Sequence, residues 1–475
     1  MNGARPRRGA CRVPALLAAA LLAACAGRDY VPAALDQASE PARVAAGALG
    51  TPEQLALIAT LDPGRTLPPP AWSCTELGAI AVQRAAAVAA AQATVTATAA
   101  ARAVAAQGPN PTFTVGLQYN TDRDPGDDSH WSVGPGFEYL WSPVDRGRIR
   151  AALVDDDVVV ARTQVLEAAW AARHAACEAA LDLLAARAEQ AGAEQQIALI
   201  DAAVAQARAA TAAGLADALE WQTLALEANG HRLARLDRIG SVARAGAALA
   251  GALAVPLEAL AGLELAPLPD ATTLPAAEAV QAYALSHHPR VLAALAAYDK
   301  AEHDLELAVA AQYPDIALSP GYFFDQGDHV WSLLGGIVVP LVATHDAAID
   351  AAEARRDAAR AAFEAEQAAV IAAIRQAYGA WRAALDVQRA TRAAVATIAA
   401  SVDDLQAQLA AGVGNGLMVK RAELQQAAAA LKLGAAGIAA QRAELALERA
   451  AALPGEHGFA NYLEVLYRGQ VLAAE

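Results

Sequence analysis

Three sets of side chains in this sequence have types and spacings that could do chemistry: a run of three aspartates, a pair of adjacent histidines, and four widely separated cysteines. Asp155-Asp156-Asp157, and His287-His288 with His303 further on, are residue types that bind divalent metals. A chelate on a helix needs ligands three or four positions apart, and two adjacent histidines ahead of Pro289 do not share a face. Both groups are expected to be structural, the aspartates as a solvated or lumen-facing helix end. No Ser-His-Asp arrangement, phosphate loop or paired-cysteine zinc motif is present. The expectation is therefore a protein that is not an enzyme and has no cofactor or bound metal.

The cysteines point to export. Arg5, Arg7, Arg8 and Arg12 precede an apolar run from Val13 to Ala24 that is too short to span a bilayer as a helix. It ends Leu22-Ala23-Ala24-Cys25, which resembles a bacterial lipobox with Cys25 as the lipidated first mature residue; Ala26 rather than Asp then implies the outer membrane. Cys11 leaves with residues 1–24, so Cys74 and Cys177 remain. Cys74 lies 37 residues before Pro111 and Cys177 lies 34 after Pro143. Antiparallel helices on either side of a hairpin would bring them to nearly the same height at about 1.5 Å per residue. Either a disulfide or two buried thiols fits that spacing in an oxidising compartment.

Loss of four arginines and no acid moves the formal charge from -15 to -19, which excludes a nucleic-acid partner of the usual basic kind. Hydrophobic residues make up 56% but aromatics only 5%, and much of the remainder is alanine, so long, closely packed helices suit the composition better than a thick core.

The chain repeats itself at an offset of about 200 residues. AVAAQ at Ala103 to Gln107 recurs at Ala308 to Gln312, HWSVGPGFEYLWSP from His130 is echoed by HVWSLLGGIVVP from His329, and Ala180-Leu181-Asp182 by Ala384-Leu385-Asp386. Within each copy a helical pattern gives way to period two. Phe113, Val115, Leu117 and Tyr119 alternate with small or polar residues, as do Trp131, Val133, Phe137, Tyr139 and Trp141. The second copy offers Ile316, Leu318, Pro320, Tyr322 and Phe324, then a weaker alternation from Val330 in which Leu334 and Val338 fall on the polar side. A helix of about 70 residues, roughly 105 Å, follows each hairpin up to a glycine break near Gly214 and at Gly412 to Gly416.

The boundaries are a signal peptide at 1–24 and a lipidated, extended N-terminal arm at 25–74. A first helix-strand-strand-helix repeat at 75–274 has strands at about 111–120 and 131–142. A second at 275–452 has strands at about 315–324 and 330–340, and a C-terminal segment runs 453–475. Strands of about ten residues with aromatic ends have the span of membrane strands. Four cannot close a barrel, and an open edge in lipid is prohibitive, so copies must share one; three copies give about twelve strands and an aqueous lumen. The fold class is mainly α with a membrane β-hairpin pair. Its two helix-hairpin-helix repeats form, as a trimer, a 12-stranded β-barrel continued by a long α-helical barrel.

These features, with GLADALEWQTLALEAN from Gly214 and QYPDIALSPGYFFDQGDHVWSLLGGIVVPL from Gln312, resemble the TolC-type outer-membrane factor family over about residues 75 to 452. The stretch from Gln312 is more similar to the branch serving cobalt-zinc-cadmium efflux. The resemblance implies a homotrimeric passive conduit in outer-membrane lipid, working with a periplasmic adaptor protein and an inner-membrane pump. It implies adaptor contact at Gly214-Leu215 and Gly416-Leu417. Family members ring the closed aperture with acids after the second turn, but here Leu417, Met418, Val419, Lys420 and Arg421 precede the first acid, Glu423. Asp217 and Glu220 follow the first turn instead, so a gate is expected from Glu220 paired with Lys420 or Arg421. The alternative is a lipid-anchored periplasmic coiled-coil adaptor or scaffold with small soluble β-hairpins.

Overall fold

The computed structural model describes residues 30–122, 129–215, 217–266, 276–326, 328–337, 345–453 and 457–468. The signal segment, Cys25 and the expected strand residues 338–340 lie outside them. The chain divides into two units after residue 46. Among its described residues the first holds one short helix, α1 (Ser39–Ala45).

In the second unit the arm is not extended. It forms α2 (Pro52–Leu61), opened by a reciprocal cap in which Thr51 Oγ1 accepts from Gln54 N and Gln54 Oε1 accepts from Thr51 N. Leu57 and Ile58 are buried, which gives this helix an anchoring face. The helix expected from Thr75 to Gln107 is broken into α3 (Cys74–Arg84) and α4 (Ala86–Ala105) by extended backbone at Ala85. Arg84 explains why the break is useful. Its Nε and Nη2 donate to Leu253 O and Ala254 O at the end of α6 (Ala218–Ala252), satisfying carbonyls that a helix end leaves open.

Strands β1 (Thr112–Tyr119) and β2 (Trp131–Trp141) follow, then α5 (Arg146–Ala212) and α6. The second repeat gives α7 (Ala277–His287), α8 (Pro289–Ala310), β3 (Ile316–Asp325), β4 (Asp328–Ile337), α9 (Asp346–Ala410) and α10 (Gly416–Ala451). A last helix, α11 (His457–Arg468), packs on α5 and α2.

The long helix α5 has 67 residues, about 100 Å at 1.5 Å per residue. It packs against α3, α4 and α6 of the first repeat and against α8 and α10 of the second. Helix α9, with 65 residues, packs on α7, α8 and α10. Short helices therefore stack end to end beside each long one, as the lengths predict. Small side chains let them approach: a Cβ on Gly192 of α5 would lie 2.2 Å from Leu431 Cδ2 of α10. The four strands form one antiparallel sheet in the order β1-β2-β3-β4.

Candidate functional site

The sheet separates two chemistries. Cross-strand pairs Phe113↔Phe137, Leu117↔Val133 and Tyr119↔Trp131 lie on one face, continued by Val133↔Phe324, Tyr139↔Leu318 and Trp141↔Ile316, then by Pro320↔Leu333 and Tyr322↔Trp331. That face is mostly apolar, with Val115 65% and Trp331 80% exposed and Ile316, Tyr322 and Phe324 half-buried; His329 also falls on it, opposite Phe324. Aromatic rings concentrate at its ends. Tyr119 packs on Trp131 with centroids 4.8 Å apart, Tyr322 on Trp331 at 4.9 Å, and Tyr139 and Trp141 mark the helix end. Such girdles suit the boundary between lipid and water.

The opposite face carries Thr112↔Glu138, Thr114↔Gly136, Gln118↔Ser132, Ser132↔Asp325 and Asp325↔Asp328. Leu334 falls on it opposite Ser319, as the sequence predicts, and β4 pairs fully despite that. Phe323 also falls on it, which period-two reading missed. Its ring lies across two glycines: a Cβ on Gly134 would meet Phe323 Cδ2 at 2.4 Å, and one on Gly116 would meet Phe323 Cζ at 3.2 Å. The clue was available in three consecutive aromatics, Tyr322-Phe323-Phe324, against two glycines on the polar side of the partner strands.

At the other end of the helices the two copies are capped alike. Gly214 and Gly412 have φ of +72° and +77°, a conformation glycine adopts without a Cβ penalty. Leu215 N donates to Ala210 O and Gly214 N to Thr211 O; Val413 N donates to Gln408 O and Gly412 N to Leu409 O. Asp217 and Asn415 are the next N-caps, their Oδ1 atoms accepting from Leu219 N and Leu417 N. The equivalent of Gly214-Leu215 is therefore Gly412-Val413, not Gly416-Leu417. Gly416 opens α10 against Gln206, and Leu417 is buried with Ile200, Ala203 and Leu224, whereas Leu215 and Val413 are exposed.

The candidate gate residues come together in one pairing. Arg421 Nη2 donates to Glu220 Oε1 at 3.2 Å, while Lys420 Nζ turns to Glu423 Oε2 at 2.8 Å. The positions in α10 that match Asp217 and Glu220 are Asn415 and Met418, so the second copy has no equivalent carboxylates.

Cys74 and Cys177 are bonded through their sulfurs, with Cα atoms 5.0 Å apart. The three aspartates are not a free helix end, since each pairs with a side chain of a neighbouring helix. Arg102 Nε on α4 reaches Asp155 at 2.7 Å, and His303 Nδ1 and Lys300 Nζ on α8 reach Asp156 and Asp157 at 2.7 and 2.6 Å. They tie α5 to its neighbours on both sides. Burial pushes the Asp156 carboxyl up, with His303 opposing. His287 stacks on Tyr283, and His288 caps α8, its Nδ1 accepting from Arg290 N at 3.2 Å. Burial and then Arg290 push His288 down to about 4, against Glu366. On α10, burial and the neighbouring Glu448 push Glu444 up to about 7. Among the described residues no group of three or more His, Cys, Asp or Glu is placed to hold a metal.

The fold, an open four-stranded sheet with one apolar face standing on paired long helices, is shared with solved outer-membrane proteins. Residues 282–453, which cover most of the second repeat, match the model of the outer membrane efflux protein family. No curated protein sequence matches the chain. Among solved structures it is similar to the outer-membrane channel OprN, with a TM-score of 0.64 at 17% identity over 90% of this chain and 98% of that one. It is similar to the outer membrane protein VceC of Vibrio cholerae, with 0.60 at 17% over 80% and 95%, and to a membrane protein of Pseudomonas aeruginosa, with 0.63 at 20% over 80% and 90%. The TolC-type resemblance read from the sequence holds, and the family consists of channels rather than enzymes. An outer-membrane channel for efflux is the coarse function this supports.

Proposed function

We propose that three copies of this chain form a passive conduit, held in the outer membrane by a shared 12-stranded barrel and by lipid on Cys25, and extended through the periplasm by the helices. Energy would come from an inner-membrane pump through a periplasmic adaptor that meets the exposed tips at Leu215 and Val413. Selectivity would come from an acidic lumen and from closure around Glu220 and Arg421. The Gln312 stretch supports cargo of the heavy-metal class.

One observation carries this reading. Leu219, Leu226 and Leu233 form a stripe at heptad spacing on α6, and their matches in the second copy are Leu417, Leu424 and Leu431 of α10. In α10 the stripe is packed, with Leu417 7% exposed and Leu431 against Gly192 of α5. In α6 the same leucines are 66%, 73% and 67% exposed. Helix α5 has close partners from both repeats, whereas α9 has them only from the second. A neighbouring copy's α6 against α9 would cover the stripe, and its β1 beside β4 would satisfy two sheet edges.

Light scattering of the detergent-extracted protein tests this. A protein mass near three times 48.6 kDa, less the signal, is expected. A water-soluble monomer would leave the scaffold reading instead.

A further inference from the structure

A cavity of about 480 Å³ opens where β2 passes into α5, at the rim of the apolar sheet face. Tyr139 and Trp141, both on that face, line its upper part, and Ser142, Asp145, Arg146 and Arg150 line the rest. Two polar atoms there are buried without a hydrogen-bond partner, Ser142 Oγ and Arg146 Nε. Buried polar atoms of a well-folded protein normally have one, so each calls for a bound group or water.

The charges narrow the choice. Arg150 gives Nε to Ala105 O and Nη2 to Gln107 O, leaving Nη1 for a ligand. Arg146 holds Asp315 with Nη1, at 3.0 and 3.1 Å, and the Ala310 and Tyr313 carbonyls with Nη2. Asp145 Oδ1 accepts from Arg148 N, which leaves its second oxygen. Two guanidinium groups and two carboxylates, Asp145 and Asp315, thus face one space. A simple anion would meet the carboxylates and a simple cation the arginines. A group carrying both signs satisfies the set, and the aromatic pair above offers a surface for hydrocarbon.

We infer that this cavity seats the headgroup of a zwitterionic aminophospholipid from the helix-side leaflet. The phosphate lies toward Arg150 and Ser142, the ammonium toward Asp145, and the acyl chains run along Tyr139 and Trp141. This rests on the reading of the sheet as membrane-spanning.

The test is native mass spectrometry of the full-length protein in detergent. It is offered phosphatidylethanolamine and phosphatidylglycerol of identical chains in equal amounts. The aminophospholipid should be retained about tenfold better, and Arg150→Gln and Ser142→Leu should each lower its retention about tenfold. Arg148→Gln, whose side chain pairs with Glu306 outside the cavity, should leave it unchanged. Because Arg150 also holds the end of α4, its variant is compared at matched thermal stability, and Ser142→Leu fills the space without touching that contact. Equal retention of both lipids, retention unaffected by both substitutions, displacement by millimolar inorganic phosphate, or a cavity holding water only would each overturn the inference while the conduit reading stands. Failure of the protein to enter liposomes at all would overturn both.

Discussion

Arg421 of α10 and Glu220 of α6 form an ion pair at 3.2 Å that links the two repeats next to their helix tips. Both side chains are substantially exposed, so the pair contributes little to folding, on the order of 0–1 kcal/mol. Its effect should therefore appear in conductance rather than stability. Glu220→Ala and Arg421→Ala are each expected to raise single-channel conductance in a planar bilayer severalfold, with an unchanged melting temperature. An unchanged closed state in both variants would remove this pair from the gate.

Leu215 and Leu417, which the sequence reading pairs as tip residues but which are not equivalent in the fold, should respond differently to truncation. Leu417 is buried and Leu215 is not. Leu417→Ala should cost about 2–4 kcal/mol of stability, as large-to-small core changes do. Leu215→Ala should leave thermal unfolding unchanged and weaken adaptor binding instead. Calorimetry together with an adaptor pull-down separates the two effects.

The bond between Cys74 and Cys177 closes a sequence separation of 103 residues, tying the start of α3 to the middle of α5. The Cys74→Ala/Cys177→Ala variant should lose on the order of 2–5 kcal/mol. Denaturant unfolding of oxidised, reduced and doubly substituted protein checks this, and the last two should coincide.

Two groups among the helices, buried His288 and half-buried Glu444, give opposed pH slopes. Glu444 ionises near 4.5 when unfolded and at about 7 in the fold, so its contribution is complete below about pH 4.5 and is lost as pH rises to about 7. His288 runs the other way, from 6.5 unfolded to about 4 folded, so its contribution is complete above about 6.5 and is lost as pH falls toward 4. The wild-type profile mixes the two, and the variant difference isolates one. Glu444→Gln should stabilise by about 1–2 kcal/mol at pH 8, allowing for partial exposure, and the gain should shrink toward pH 4.5. A gain independent of pH, measured by thermal unfolding at both ends, would mean that Glu444 is not held protonated.

The strands were legible because each separates two environments, and alternation at Phe113 to Tyr119 records that directly. Phe323 was not, since its place is set by glycines on another strand rather than by its own neighbours. The tips were legible as glycine breaks, but the second offers Gly412, Gly414 and Gly416, and only Gly412 takes positive φ. The helix in the arm left a readable trace in Thr51-Pro52-Glu53-Gln54, a capping sequence hidden among prolines. The break at Ala85 left none. It answers to Arg84 reaching carbonyls about 170 residues away. Asp155 to Asp157 likewise found partners on two other helices, which no local pattern announces.

The central claim is that one copy's β1 lies beside another copy's β4. The direct measurement is to place a cysteine on β1 at Thr114 and scan a second along β4 from Val330 to Ile337 in the intact, membrane-inserted protein. Oxidation at matching registers should yield covalently linked dimers and trimers on a denaturing gel. Only monomers, at every β4 position, would contradict a barrel closed between subunits.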